Sequence, residues 1–487
     1  MIYKKTITFL LLLCLISSAV YAKDAKDIAA SDFKNVKLLD PLFEKLYQLE
    51  KNQKGKVNIV HIGDSHVQAD MFTNVIRQIL QTKFGNGGYG FTFPYSLAKT
   101  NGTSYIKYAS NTEWESRRNI YPVTDVSVGL SGIGLYSNNS DFEINIDVNP
   151  LYTFSKIRLL YPTKTSCFRL ALPNTDYKSV VEKTPVELPV EKEKVEVRKV
   201  NYTMHTVESK ETLYRISQKY GISVEKLKDI NNLSSNTIRV GMDLKIPNKQ
   251  EEPEREPKVP IVAKVIKEEP KDDNEPKIIL SKEKPYESEF ILPMSSNQIV
   301  ILPGNNQAEY NLSGVVIEND RPGIIYHSIG VNGTKVSDYN KYPLFFEQLP
   351  SLSADLIVIS LGTNEAFNRW TTPYYSSQMQ MFVDKIKKNN PKAIILLMTP
   401  PPSLFKRRTP NTFVEGYGDA LKQLKGCVVW DLLGKLGGAK APLENKFAPL
   451  MAKDKVHYTR EGYEKQGELF SADFLAAYDN YVKSRTN

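Results

Sequence analysis

Five apolar runs punctuate the chain: VNIVHI (57–62), GIIYHSIG (323–330), DLIVISLG (355–362), AIILLMTP (393–400) and CVVWDLLG (427–434). Each is short and nearly continuous, as expected for a strand buried on both faces rather than one shared between core and solvent. Helical periodicity follows several of them. Phe72, Val75, Ile76, Ile79 and Leu80 recur at helix spacing after the first run, SSQMQMFVDKIKK comes after the third, and a helix is predicted from Glu461 to the end. Strand alternating with helix predicts a parallel α/β sheet with helices on both faces. In such sheets functional residues gather beyond the carboxyl ends of the strands.

The long interval between the first two runs has another texture. DVSVGLSGIGLYSN, FEINIDVNP, FSKIRLLYP and FRLALP predict short antiparallel strands, and EFILP, QIVILP and LSGVVIEN resume the pattern later. These segments predict a β-sandwich-like module. Residues 179–202 and 249–284 are rich in Glu, Lys, Val and Pro. They bury little apolar surface and are expected to be extended linkers. They bracket a compact island at 203–248. There a strand (Met204 to Val207) precedes a helix with Leu213, Ile216 and Tyr220 on one face, which Gly221 ends. A second short helix carries Val224, Leu227 and Ile230, and MDLKIP returns as a strand. The expected nesting is an α/β domain in two parts (23–98 and 321–487), a β-module in two parts (99–178 and 285–320), and the island innermost.

Composition narrows the setting. Lys4 and Lys5 precede TITFLLLLCLISSAVYA, which has the form of a secretory signal cleaved after Ala22, so residues 1–22 are expected to be removed on export. No other segment approaches the roughly 20 apolar residues of a membrane helix, so no stable membrane insertion is expected. Cys167 and Cys427 then remain, too few and too far apart for a disulfide framework, and no Cys/His spacing points to structural zinc. The net charge of +9 suits an anionic wall polymer, and no nucleic-acid-binding motif is present.

Gly63-Asp64-Ser65-His66 follows the first apolar run directly. Such residues form ordinary turns. They also suit a nucleophilic serine at the mouth of a sheet, which needs a base. The chain has five histidines. His61 and His327 lie inside strands, His66 adjoins Ser65, and His205 belongs to the island. Only His457 has an acid three residues before it, Asp454 in AKDKVHYTREGY. In a tight loop that pair can hydrogen-bond and orient the ring. An acyl-transfer site also needs donors for an oxyanion. GVNGTK (330–335) offers the Gly333 N–H and LGTNEAF (361–367) the Asn364 amide. Alternatively, Gly333 permits a turn and Asn364 caps a helix. The motif is not the α/β-hydrolase elbow, because Val67 stands where G-x-S-x-G requires glycine.

With these blocks the chain resembles an SGNH hydrolase of the GDSL type. Gly63-Asp64-Ser65-His66, Gly330-Val331-Asn332-Gly333, Gly362-Thr363-Asn364 and Asp454-Lys455-Val456-His457 occur in that family's order, with His66 where many members carry Leu. The resemblance implies a flavodoxin-like parallel sheet and an esterase needing no metal or cofactor. It further implies Ser65 as nucleophile, His457 as base, Asp454 as its partner, and Ser65, Gly333 and Asn364 as the oxyanion hole. The island resembles a LysM domain, a βααβ module that binds N-acetylglucosamine-containing glycans, through ETLYRISQKYGISVEKLKDINNL and IRVGMDLKIP. It differs from that family at Lys210, where members usually have Gly. An SGNH core carrying an inserted β-module is similar to bacterial peptidoglycan O-acetylesterases. Peptidoglycan is then the expected partner, and the periplasm or cell surface the expected location. Trp114, His66 and Gln68 are candidate substrate contacts; the alternative for Trp114 is a core position. Two other readings remain: an esterase of other acylated polysaccharides or lipids, and a non-catalytic wall-binding protein.

Overall fold

The structure, a computed structural model, describes residues 33–173, 202–209, 211–220, 222, 224–231, 233, 237–247, 278–279, 281–304 and 307–485. The expected signal segment, nearly all of the first linker, most of the second and Lys210 lie outside the described residues. The chain divides into two compact units, Met1–Lys178 with Glu275–Asn487, and Ser179–Asn274.

The five apolar runs of the larger unit form one six-stranded sheet together with a short edge strand, Phe33–Lys34, that the apolar pattern does not predict. Its strands are β1 (Phe33–Lys34), β2 (Lys56–Gly63), β3 (Gly323–Gly330), β4 (Leu356–Ser360), β5 (Ile394–Met398) and β6 (Val428–Trp430). Their order is β1-β6-β5-β4-β2-β3, parallel throughout except for β1, which pairs antiparallel with β6. The last apolar run is cut short. Asp431 accepts from the Gly434 N–H and caps the helix Leu432–Lys435, so β6 ends at Trp430. Successive side chains alternate between two cores, as a strand covered on both faces requires. Val57 and Ile59 enter one, Val60 and Ile62 the other.

Helices cover both faces. Asp40–Asn52 (α1), Met71–Phe84 (α3, which follows the short α2, Ser65–Gln68) and Arg460–Arg485 (α6) bury Phe43, Ile76 and Phe474 on one side. Thr372–Asn389 (α5, which follows α4, Thr363–Phe367) buries Phe382 and Ile386 on the other. Because β2 pairs with β3 on one side and β4 on the other, the loops leaving all three strands converge on one crevice at the switch point of the sheet.

The antiparallel segments form two five-stranded sheets and a three-stranded one. They do not make a core of their own. Val60, Ile62, Ile357 and Ile359 of the parallel sheet share one continuous cluster with Phe91, Ile157 and Val315 of the sandwich. Two expected boundaries shift accordingly. Gly90–Thr92, expected in the first part of the α/β domain, pairs with Gly314–Glu318 of the sandwich. Ile278–Ile279 and Ser281–Lys284, expected in the second linker, are strands paired with 170–171 and 287–290. Every residue of Ser281–Lys284 is exposed, so its polar sequence SKEK has the composition of a linker while its backbone joins a sheet edge.

In the smaller unit Tyr202–Thr206 pairs antiparallel with Asp243–Pro247, and helices Leu213–Tyr220 and Val224–Ile230 lie between them in sequence. Leu213, Ile216, Leu227, Leu244 and Ile246 form its core, the βααβ arrangement expected. Among the described residues no helix is long and apolar enough to cross a membrane.

Candidate active site

β2 delivers Ser65 to the crevice. The Asp64 carboxylate accepts from the His66 N–H at 3.0 Å and caps α2, of which Ser65 is the first residue. α2 lies so close to β3 that a Cβ on Gly330 would come within 2.3 Å of the Gln68 nitrogen, which is why the end of β3 must be glycine. From across the crevice His457 brings its Nε2 to 2.8 Å from Ser65 Oγ, and its Nδ1 lies 2.7 Å from Asp454 Oδ2. An ionised carboxylate only accepts, so Nδ1 carries the ring proton and Nε2 is left to accept from the Ser65 hydroxyl. Asp454 also accepts from the N–H groups of Val456 and His457, each at 2.9 Å. Burial works to raise its pKa, but these bonds outweigh it and hold the carboxyl down at about 2. The loop turns through Lys455 at φ 61°, and the Leu404 N–H donates to Lys455 O at 2.8 Å, pinning it to the segment after β5.

The opposite wall is assembled from β2, β3 and β4. Gly333 turns at φ 82°, where other residues are strained, although a side chain there would have room. The N–H groups of Ser65 and Gly333 have no partner among the described residues. Gln68 holds the loop: its Oε1 accepts from the Asn332 N–H at 2.6 Å, and its Nε2 donates to Thr100 Oγ1 and Asn101 O. Asn364 donates from Nδ2 to Thr334 O at 2.9 Å and, more weakly, to Asp64 Oδ2 at 3.3 Å. Two buried carboxyls stand behind this wall. Burial pushes Asp64 up to about 7, against the opposing His66 N–H bond and the charge of His457. Burial likewise pushes Glu365 up to about 8, although it accepts from the Val336 N–H at 2.7 Å.

Ser65, Gly333, Asn364 and His457 line one cleft of about 510 Å³, with Asn332 and Tyr463. The three proposed substrate contacts do not reach it. Trp114 is 3% exposed; its Nε1 donates to Ser110 Oγ and its ring packs edge-on against Phe142, so it belongs to the sandwich core. His66 is buried with Nδ1 3.0 Å from the Tyr463 hydroxyl, because the residue after Ser65 turns inward along α2. Gln68 is buried one turn further on and acts on the Asn332 loop. The other histidines are engaged in the fold: His61 with Tyr326 and Ser360, His327 with the Phe91 N–H, His205 with Glu211 and Tyr220. Sequence reasoning missed Asn101, Asn332, Glu365 and Tyr463. Asn332 and Glu365 adjoin Gly333 and Asn364 in sequence, which was the one available signal.

Residues 305–465 match the GDSL-like Lipase/Acylhydrolase family, and residues 205–247 match the LysM domain. The first match includes Gly333, Asn364, Asp454 and His457; Ser65 precedes it, on the far side of the sandwich strands. A solved structure of a peptidoglycan O-acetylesterase aligns with a TM-score of 0.59 over 90% of this chain and 96% of its own, at 17% identity, so the two share a fold. An N-acetylmuramoyl-L-alanine amidase of Staphylococcus aureus is 52% identical over 44 residues, 9% of this chain and 13% of the relative. An autolysin of Enterococcus faecalis is 48% identical over 42 residues, 9% of this chain and 6% of the relative. The chain spans between 6% and 30% of the length of such curated relatives.

Proposed function

We propose that this chain is an exported serine esterase that removes O-acetyl groups from peptidoglycan at the cell wall or outside the cell, with its LysM domain binding the wall glycan. The observation that carries the reading is the Ser65–His457–Asp454 chain of hydrogen bonds, open to a cleft lined by Ser65 and Gly333, whose N–H groups have no partner among the described residues. The GDSL-like match supports an ester as substrate. The LysM match and the shared fold with a peptidoglycan O-acetylesterase support the wall glycan.

In this mechanism Ser65 Oγ attacks the acetyl carbonyl carbon while its proton passes to His457 Nε2. Asp454 holds the ring in the tautomer that can accept and stabilises the imidazolium that forms. The carbonyl oxygen becomes an oxyanion beside the Ser65 and Gly333 N–H groups. Asn364 joins them by exchanging its longer bond, to Asp64, for one to the oxyanion. Each such donor contributes about 3–4 kcal/mol to lowering the barrier. Collapse breaks the bond to the sugar oxygen, which leaves with the proton from His457. Water, deprotonated by His457, then attacks acetyl-Ser65 and releases acetate, and the proton returns to Ser65.

Acetate release from O-acetylated peptidoglycan by the full chain tests this, with Ser65→Ala as control. The wild type releases acetate, and the variant is slower by about 10⁴-fold or more while still binding the glycan. Acetate from acetylated xylan but not from peptidoglycan overturns the substrate. Glycan binding without acetate from any ester overturns the enzyme.

A further inference from the structure

A short hairpin stands against both walls of the cleft. Leu404–Phe405 pairs with Thr409–Pro410, and the turn between them is Lys406-Arg407-Arg408. The hairpin base is fixed to the acid–base wall by the Leu404 N–H bond to Lys455 O, one residue from Asp454. It is fixed to the oxyanion wall through Phe405, whose ring lies 5.0 Å from that of Phe367 on the helix that begins beside Asn364. Lys406, Arg407 and Arg408 are exposed. Arg369 lies with its guanidinium over the Phe405 ring at 5.7 Å, and the catalytic loop to which the hairpin is bonded carries two more cations, the exposed Lys453 and the half-buried Lys455. None of these six makes an ion pair among the described residues, whereas Lys335 and Lys341, on the far wall, are both paired with Asp338.

The turn itself is chemically expensive. Lys406 and Arg407 both sit at positive φ, 48° and 63°. Asn or Gly takes that conformation with far less strain and is the usual residue where a turn needs positive φ. Three successive cations at this place are therefore not explained by the turn. They are like charges close together on the surface, where a polyanion passing the cleft mouth meets a concentrated positive potential.

We propose that this hairpin is a docking surface for carboxylates carried by the polymeric substrate, so that the enzyme prefers a glycan whose acetylated sugars bear short acidic peptides over a neutral acetylated glycan. The inference rests on the esterase reading above and adds to it the chemistry of the substrate's flank. Two guanidiniums suit carboxylates better than ammonium groups would, since each presents a planar fork of donors. Attraction at exposed cations is screened over about 10 Å at 0.1 M salt, so the effect must be salt-sensitive.

The test compares wild type with the triple variant Lys406→Glu, Arg407→Glu, Arg408→Glu, in the full chain, on three substrates: peptide-bearing O-acetylated peptidoglycan, neutral O-acetylated xylan and p-nitrophenyl acetate. The variant raises KM for peptidoglycan by about ten-fold, leaves xylan unchanged, and keeps kcat/KM on p-nitrophenyl acetate within two-fold, roughly what loss of electrostatic attraction without damage to the site produces. Raising NaCl to about 0.5 M raises the wild-type KM for peptidoglycan and leaves that of the variant flat. Equal KM values for wild type and variant on peptidoglycan overturn the inference, as does an equal rise on xylan. If the wild type hydrolyses none of the three esters, the esterase reading falls, and the hairpin's role with it. If it hydrolyses them and the variant matches it throughout, only the hairpin's role falls.

Discussion

The side chains of His457 and Asp454 are 41% and 48% exposed, whereas Asp64, Gln68 and Glu365, which stand behind Ser65, Gly333 and Asn364, are at most 2% exposed. On the acid–base wall the catalytic pair and the bonds Asp454 accepts all lie within one four-residue stretch in contact with solvent. The oxyanion wall is spread over the ends of three strands and is held by polar groups that no water reaches. Exposed ion pairs add little to stability, because solvent screens them and ordering two side chains costs entropy. Buried polar groups are costly to leave unpaired. Chemistry and stability are thus expected to separate on one side of the cleft and to be joined on the other.

The sharpest break of that contrast comes from the exposed wall. His457→Ala removes the base and is expected to lower kcat on p-nitrophenyl acetate by about 10⁴- to 10⁶-fold, with Asp454→Ala roughly 10²-fold less severe. The Tm of both variants stays within about two degrees of wild type, as for other exposed substitutions. A large fall in Tm in either variant would mean that this wall is part of the scaffold after all.

Gln68→Ala is the converse. No atom of Gln68 lines the cleft, yet the substitution frees the Asn332 N–H and the groups of Thr100 and Asn101 that Gln68 binds. One buried unpaired group costs about 1–3 kcal/mol, so Tm is expected to fall by several degrees. Because the loop also carries Gly333, kcat falls by about ten- to a hundred-fold while KM changes little, the signature of a lost transition-state donor. A normal kcat in a destabilised protein would make Gln68 purely structural.

The same contrast explains what was legible in the sequence. The strands of the parallel sheet were, because burial on both faces writes a continuous apolar run. Asp454 and His457 were, because their partnership is local. Ser65 was, because a strand end followed by a polar turn leaves a hydroxyl at the rim. What stayed hidden was long-range. Gln68 has the polarity of a substrate contact, and only the packing of α2 on Gly330 shows that it points inward. Trp114 has the chemistry of a sugar platform, but the ring of Phe142 claims it. The sandwich was visible as strands, yet its sharing of a core with Val60 and Ile62 depends on which face each strand presents to a partner remote in sequence. The exposed edge strand Ser281–Lys284 was invisible, since no burial constrains its composition.

The smallest expected effect probes how dry the oxyanion wall is. Burial pushes Glu365 up to about 8 from an ordinary value of 4.5. A carboxyl whose pKa rises on folding binds its proton more tightly in the native state, so its contribution is fully present below pH 4.5 and is lost as pH climbs toward 8. Asp64, raised to about 7 by burial, works in the same direction from 3.8. The wild-type Tm is therefore expected to decline between about pH 5 and pH 8. Glu365→Gln keeps an acceptor for the Val336 N–H and cannot ionise. Its decline should be shallower, with Asp64 supplying the remainder, and the variant should melt above wild type at pH 8 and close to it at pH 5. Asp454 has the opposite sign: held near 2, it contributes above pH 3.8 and is lost only in stronger acid, outside this window. Parallel melting profiles for wild type and Glu365→Gln would mean that Glu365 ionises freely at pH 8. Water would then reach the oxyanion wall much as it reaches His457, and the two sides of the cleft would no longer differ in kind.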